Sequence, residues 1–372
     1  MSKVFPENYY VEKLIKKLSK FGSLFNYEVL GEVSVKDRTI PIYGLQLGQT
    51  DPSVPVLGIF AGVHGLEKIG THIIVNYLNT LASNLNWDTS LTSSLEKIKI
   101  VTIPIVNPGG MYLRKRSNPN GVDLMRNAPV DAESGGVFLG SGHRISKRLP
   151  WYRGEQGVLE YENQVLRDFV IKNMMPSPFA MSVDIHSGFG WHDRLWYPYA
   201  KSYLPFDQTR ITSVFARYLK LSHPYHRYIV EKQSDSYLIH GDMWDHIYDI
   251  HKSLYGSSQD SQSLALHSQM NLEHKQLMSN VFDSRFSAPE DHKKIFIPWT
   301  LEVGSWSWLL RKPHRIFSTS GLFHTEKTTN KYAFTMRKHW GLLDFFQRMT
   351  IHYRTWVREQ EPKKGLDSAV GF

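Results

Sequence analysis

Apolar positions along the chain follow two periodicities, and the order in which they alternate predicts an α/β protein. Between residues 9 and 21, Tyr10, Val11, Leu14, Ile15 and Leu18 recur at helical spacing with lysines between them, which predicts an amphipathic helix. YEVLGEVSV at 27–35 and TIPIYGLQLG at 39–48 follow; the second alternates apolar and polar, and the two together predict an antiparallel edge. VPVLGIFAGV at 54–63 is apolar almost throughout, the pattern of a strand covered on both faces. A helix over about 68–85 and a second continuous strand, KIKIVTIPIV at 97–106, complete a strand–helix–strand unit of parallel type.

Residues 107–157 are rich in Gly, Pro and Asn and predict a long irregular stretch. A helix is expected at about 158–174, with Leu166, Phe169 and Val170 on one face, and FAMSVDIH at 179–186 reads as a third buried strand. Helical patterns cover about 207–221 and 240–254, IFIPWTLEVG at 295–304 predicts another strand, and 331–358 the closing helix. The polar segment 253–292 reads as a loop insertion. Neither an internal repeat nor a linker divides the chain, so one domain is expected over 1–372, with the helix and antiparallel edge occupying 1–50.

A hydrophobic fraction of 41% and a charged fraction of 21% place the chain among folded proteins rather than disordered ones. The net charge of +9 admits nucleic acid, anionic membrane or acidic substrates as partners. The densest basic groups, LRKRS at 113–117 and KRLPWYR at 147–153, are short, which favours a dispersed surface excess and no nucleic-acid partner. The absence of cysteine excludes disulfides, thiolate metal sites and cysteine nucleophiles, so a metal must be held by His, Asp or Glu. No apolar run reaches 18 residues and the N-terminus has no signal-peptide pattern, so a soluble, cytoplasmic protein without a membrane partner is expected.

The reactive side chains cluster at strand ends. His64 and Glu67, in AGVHGLEKIG, follow the first buried strand; Asp184 and His186 close the third; Glu302 lies in the fourth. The functional crevice of an open parallel sheet lies beyond the carboxyl ends of its strands, so these groups can converge. Taken singly, each reads more readily as a hydrogen-bonded structural residue than as a ligand; taken together, that reading weakens. Two histidines and one carboxylate, with water in the fourth position, make a catalytic zinc site, and a separate glutamate then acts as general base. Asp184 fits a supporting role, accepting from an imidazole N–H, while Ile185 between it and His186 points to the other face.

The order HxxE, NPGG, RSNPNGVDLMRN, DIHS and TLEVG, spread from about residue 54 to 305, resembles the zinc metallocarboxypeptidases of the carboxypeptidase A type. The resemblance implies a mixed, largely parallel central sheet flanked by helices on both faces, and one zinc ion held by His64, Glu67 and His186. Glu302 is then the general base that also carries the proton to the leaving amine. WYRGEQGVLEYENQVLRDFV resembles the family segment entering the helix before the third ligand, and WYPY at 196–199 its tyrosine-proline-tyrosine strand. Arg126 matches the arginine that pairs with a substrate carboxylate. Arg116, nine residues before Met125, matches the oxyanion-stabilising arginine, with Arg114 as its rival. Tyr237, eight residues before Asp245, resembles the tyrosine that closes on substrate.

Three positions depart from the family pattern or bear on specificity. Met125 stands where an asparagine usually precedes the carboxylate-binding arginine, and a thioether donates no hydrogen bond. Leu66 replaces the arginine usual between the first two ligands. Trp244 falls where substrate side chains are sorted and either narrows that pocket or packs in a helix. The implied function is a zinc-dependent hydrolase of a peptide or peptide-like amide, an atypical metallocarboxypeptidase. An N-acyl amino acid deacylase and a non-catalytic binding protein on the same scaffold are the alternatives. NPGG and Tyr237 favour the peptidase, and the complete set His64, Glu67, His186 and Glu302 favours an enzyme.

Overall fold

A computed structural model of the chain describes residues 5–134, 136–255, 294–304, 306 and 330–358. The first helix, α1, runs Pro6–Leu18 and buries Val11, Leu14, Ile15 and Leu18. Its proline sits in the first turn, where the missing N–H would have no helical acceptor anyway. A 3₁₀ turn over Ser19–Leu24 leads into the hairpin of β1 (Phe25–Val35) and β2 (Arg38–Gly48), the antiparallel edge expected from the sequence.

Next come β3 (Val56–Ala61), α2 (Lys68–Asn84), the short α3 (Thr89–Leu95), β4 (Lys99–Ile103) and α4 (Pro108–Leu113). The apolar runs 54–63 and 97–106 overstate the ordered strands at both ends. α3 is hidden from apolar periodicity because it is largely Ser and Thr; it starts where Asp88 accepts from the Leu91 N–H at 3.1 Å. α4 is the structural meaning of NPGG: Asn107 caps it by accepting from the Gly110 N–H at 2.7 Å, and Pro108 follows in the first turn. The stretch expected to be irregular, 107–157, therefore holds α4 and a further 3₁₀ turn, Leu124–Arg126.

The remaining elements are α5 (Tyr161–Asn173), β5 (Phe179–Ser187), β6 (Arg194–Tyr197), α6 (Thr209–Ser222), β7 (Ile229–Lys232), α7 (Gln233–Ser236), α8 (Met243–Tyr255), β8 (Ile295–Val303), α9 (Asn330–Ile351) and α10 (Tyr353–Val357). Of the insertion expected at 253–292, residues 253–255 complete α8, and 256–292 lie outside the described residues.

Eight strands form one sheet in the order β1-β2-β4-β3-β5-β8-β6-β7. Its centre, β4-β3-β5-β8, is parallel, and β3 and β5 are buried along their whole length, which is why both read as unbroken apolar runs. α1, α2 and α9 cover one face, where the Tyr77 hydroxyl of α2 donates to Gln347 of α9 at 2.5 Å. α5 and α8 cover the other, where the Phe60 ring of β3 meets Phe169 and Trp244. Among the described residues no helix is long and apolar enough to cross a membrane. The register places His186 of β5 beside Glu302 of β8, so both side chains rise from one face at the carboxyl end of the parallel strands.

Candidate active site

β3 ends at Ala61, and the chain then turns through Gly62, whose φ of 69° is left-handed, to present His64 and Glu67 at the entry of α2. This turn lies against α4. A Cβ on Gly65 would stand 2.1 Å from the Gly110 carbonyl carbon, so only a residue without a side chain lets the two backbones meet. The HGLE and NPGG motifs are thus two halves of one contact, and Asn107 Nδ2 adds to it by donating to the Val63 carbonyl at 3.1 Å.

The three side chains proposed as ligands are buried and converge. His64 Nδ1 lies 2.9 Å from Glu67 Oε1, His186 Nδ1 3.1 Å from Glu67 Oε2, and the two Nδ1 atoms are 3.2 Å apart. The outer nitrogen of each ring faces a carboxylate: His64 Nε2 meets Asp123 Oδ1 at 3.1 Å, and His186 Nε2 meets Asp184 Oδ2 at 2.7 Å. An ionised carboxylate only accepts, so Asp123 and Asp184 each hold a proton on Nε2, and a metal ion that displaces any proton between Nδ1 and Glu67 meets a free lone pair on each ring. Two such lone pairs and a carboxylate, separated as the ligands of one ion with bonds of about 2.0–2.1 Å would be, fit zinc.

The electrostatics agree with the geometry. Burial alone would drive Asp123 neutral, but Arg116, then His64, outweigh it and hold its carboxyl well below the ordinary range. Burial likewise disfavours a charged His186, yet Asp184 and Glu67 raise its pKa well above the ordinary value. A field that holds an extra proton on a buried imidazole equally favours a divalent cation, which displaces that proton on binding.

Glu302 stands beside this group with Oε2 unpaired among the described residues. Burial, and next the Glu67 carboxylate, push its carboxyl up to about 8. Arg116 also reaches this group, donating from Nε to Asp123 Oδ2 at 2.9 Å and from Nη1 to Glu67 Oε1 at 3.3 Å. Arg114, its rival, is an exposed left-handed residue at the end of α4 and has no such contact. Arg126, at the end of the 3₁₀ turn, is buried, and among the described residues its Nε is unpaired and its guanidinium makes one hydrogen bond, a long one of 3.5 Å to the Gly140 carbonyl. A buried guanidinium so poorly satisfied retains donors for an anion. Tyr237 is half-buried against Phe189 and Trp196, near enough to act on Arg116 electrostatically.

Two residues expected at the substrate have buried side chains. Met125 is buried in the hydrophobic core, its backbone N–H held by Asp123 Oδ1 at 3.1 Å, because the 3₁₀ turn points its side chain inward. Trp244 is 3% exposed; its indole packs on Phe60 and donates to Asp184 Oδ2 at 2.9 Å, which links it to His186 through their shared acceptor. Asp184 has the supporting position foreseen for it. Asp123 was not singled out from the sequence. Its signal was indirect: a metal-binding imidazole needs an acceptor for its second nitrogen, and His64 had been given none.

A family model described as zinc carboxypeptidase matches residues 11–284, well over half of the chain. Carboxypeptidase SOL1 of Arabidopsis thaliana is 27% identical over 249 residues, covering 63% of this chain and 44% of that protein. Carboxypeptidase M of Mus musculus is 26% identical over 141 residues, covering 34% of this chain and 31% of that protein. The chain thus spans less than half the length of these curated relatives. Among solved structures, bovine thrombin-activatable fibrinolysis inhibitor in complex with tick carboxypeptidase inhibitor aligns with a TM-score of 0.63 at 16% identity, over 94% of this chain and 98% of that one. Carboxypeptidase A from Helicoverpa armigera aligns with a TM-score of 0.52 at 15% identity, over 94% of this chain and 72% of that one. Both share the mixed, largely parallel sheet described above. Zinc is the metal of the matched family, and the His-Glu-His donor set fits it. On the extent of the family match, and with the motifs folded onto one buried site, this chain belongs to the zinc carboxypeptidase family.

Proposed function

We propose that the site hydrolyses the C-terminal amide bond of a peptide, with His64, Glu67 and His186 holding one zinc ion. The observation that carries this reading is the convergence of the two Nδ1 atoms on Glu67, with Glu302 Oε2 unpaired among the described residues beside them. When bound, zinc supplies Lewis acidity and lowers the pKa of a water towards about 7. Glu302 takes a proton from the attacking water as its oxygen bonds to the scissile carbonyl carbon. Arg116, tied down by Asp123 and Glu67, presents its remaining donors to the oxyanion that develops. As the C–N bond breaks, Glu302 returns the proton to the departing nitrogen. Arg126 pairs with the free terminal carboxylate, and burial gives that pair its strength.

Hydrolysis of a peptide with a free C-terminus, set against its amidated twin and an N-acyl amino acid, tests the assignment. The free peptide is expected to be preferred by roughly 100-fold or more, since breaking a buried ion pair costs about 3–5 kcal/mol. Arg126→Met should abolish that preference. Turnover of the N-acyl amino acid alone would assign the site to a deacylase instead.

A further inference from the structure

A cleft of about 1030 Å³ opens beside the metal ligands, at the upper end of ligand-cleft volumes of about 300–1,000 Å³. Its lining includes Leu66, between His64 and Glu67, and the pair Arg116 and Asp123, so the cleft adjoins the catalytic group through Arg116. Arg126 does not line it and lies buried at the end of the 3₁₀ turn. The cleft therefore leaves Arg126 to a terminal carboxylate and offers room beside Arg116 for the upstream part of the same chain.

The lining carries Arg114, Lys115, Arg116, Lys147 and Arg148 against three carboxylates. Two of those carboxylates are occupied: Asp123 by Arg116 and His64, Glu160 by Asn118 and Asn120. Among the described residues Arg114, Lys115, Lys147 and Arg148 are exposed and have no ion pair. They come from opposite walls, the chain after α4 and the loop between His143 and Arg153. Gly121, with φ 87°, brings the walls together: a Cβ there would lie 3.2 Å from Lys147 Cβ. Arg114 and Trp151, both on the lining, keep left-handed φ values of 55° and 65° where glycine would be unstrained. The two short basic groups that looked dispersed along the sequence thus face one another across the cleft.

Resting on the peptidase reading above, we infer that the enzyme selects peptides with acidic residues upstream of the scissile bond, the first upstream residue meeting Leu66 and the acidic ones the four unpaired cations.

The test uses the zinc-loaded full chain and three peptide series with one common C-terminal dipeptide and upstream residues that are acidic, amide isosteres or lysine. At low ionic strength kcat/KM is expected to be about tenfold higher for acidic than for amide peptides, mainly through KM, as several exposed ion pairs would give. The advantage should vanish near 1 M salt, where the screening length is about 3 Å. In Lys147→Glu/Arg148→Glu the acidic-to-amide ratio should fall to about one or below. These side chains are exposed, and an unchanged thermal midpoint would show that the fold persists. Equal rates across the series would overturn the inference and leave the peptidase reading standing. Equal rates together with tight, salt-sensitive binding of a single-stranded oligonucleotide would assign the cleft to nucleic acid and overturn it too. No hydrolysis in any series would remove the peptidase reading and this inference with it.

Discussion

Trp244 and His186 share one acceptor: the indole N–H and the imidazole Nε2 meet the same Asp184 oxygen at 2.9 Å and 2.7 Å. A residue of α8 thereby sets the orientation of a side chain on β5, and through it the inward Nδ1.

Asp184→Asn is expected to weaken zinc binding about 10–100-fold, because the amide oxygen that then accepts from Nε2 carries no charge and leaves the imidazole a weaker ligand. Trp244→Phe keeps the packing on Phe60 and should weaken zinc in the same direction by a smaller factor. Chelator competition measures both. An unchanged zinc affinity in the two variants would remove the supporting role assigned to this pair.

Glu302→Gln should retain zinc while kcat falls at least about 100-fold, since removing a general base forfeits about 10²–10⁴ in rate. Arg116→Ala should lower kcat about 10²–10³-fold with a smaller change in KM, the mark of a donor used in the transition state. Metal analysis alongside steady-state kinetics separates loss of chemistry from loss of the ion. A Glu302→Gln enzyme with wild-type kcat would contradict the assignment of the base.

Gly65→Ala is expected to destabilise the protein by about 1–3 kcal/mol or more, the usual range for an overpacked contact. Its Cβ would meet backbone atoms of Gly110 and Met111, at 2.1 and 2.2 Å, and neither can swing aside. Denaturant midpoints and zinc stoichiometry should fall together, because the displaced turn carries His64. Stability equal to wild type would show that the two segments separate at little cost.

Glu7 connects α1 to the first turns of α2, accepting from Lys68 at 3.0 Å and from His72 at 3.2 Å. Burial raises its pKa, but His72 and Lys68 outweigh burial and bring it to about 2 from an ordinary 4.5. A carboxyl depressed on folding stabilises fully above its unfolded pKa, and this contribution fades as pH falls from about 4.5 to about 2. Wild type should therefore exceed Glu7→Gln by roughly 2–4 kcal/mol at neutral pH and converge with it near pH 2. Urea unfolding across that interval checks the sign; a gap that widens in acid would refute the linkage.

Much of the fold was legible in the residues taken in order. The strands of the parallel centre are buried on both faces, so their sequences are continuously apolar, and α1 and α2 show the periodicity of a one-sided helix. α3, β6, β7 and α7 were not read from periodicity, being short or polar, with their ends set by capping and by neighbouring strands. Boundaries of β3 and β4 also escaped, since apolar residues continue past the last paired residue.

Order along the chain was enough to place the candidate chemistry: His64, Glu67, His186 and Glu302 stand at strand ends, and a parallel sheet gathers strand ends whatever the loops do. What surrounds them came from the folding of distant segments onto one another. His64 finds Asp123 across 59 residues and Asp184 finds Trp244 across 60, and such contacts leave no local pattern because loop conformation sets them. Met125 went to the core, Trp244 to Asp184, and Arg116 rather than Arg114 to the ligands, each according to which way its backbone turned. Two basic groups more than thirty residues apart, unremarkable along the chain, became opposite walls of one cleft when the 143–153 loop folded back onto Gly121.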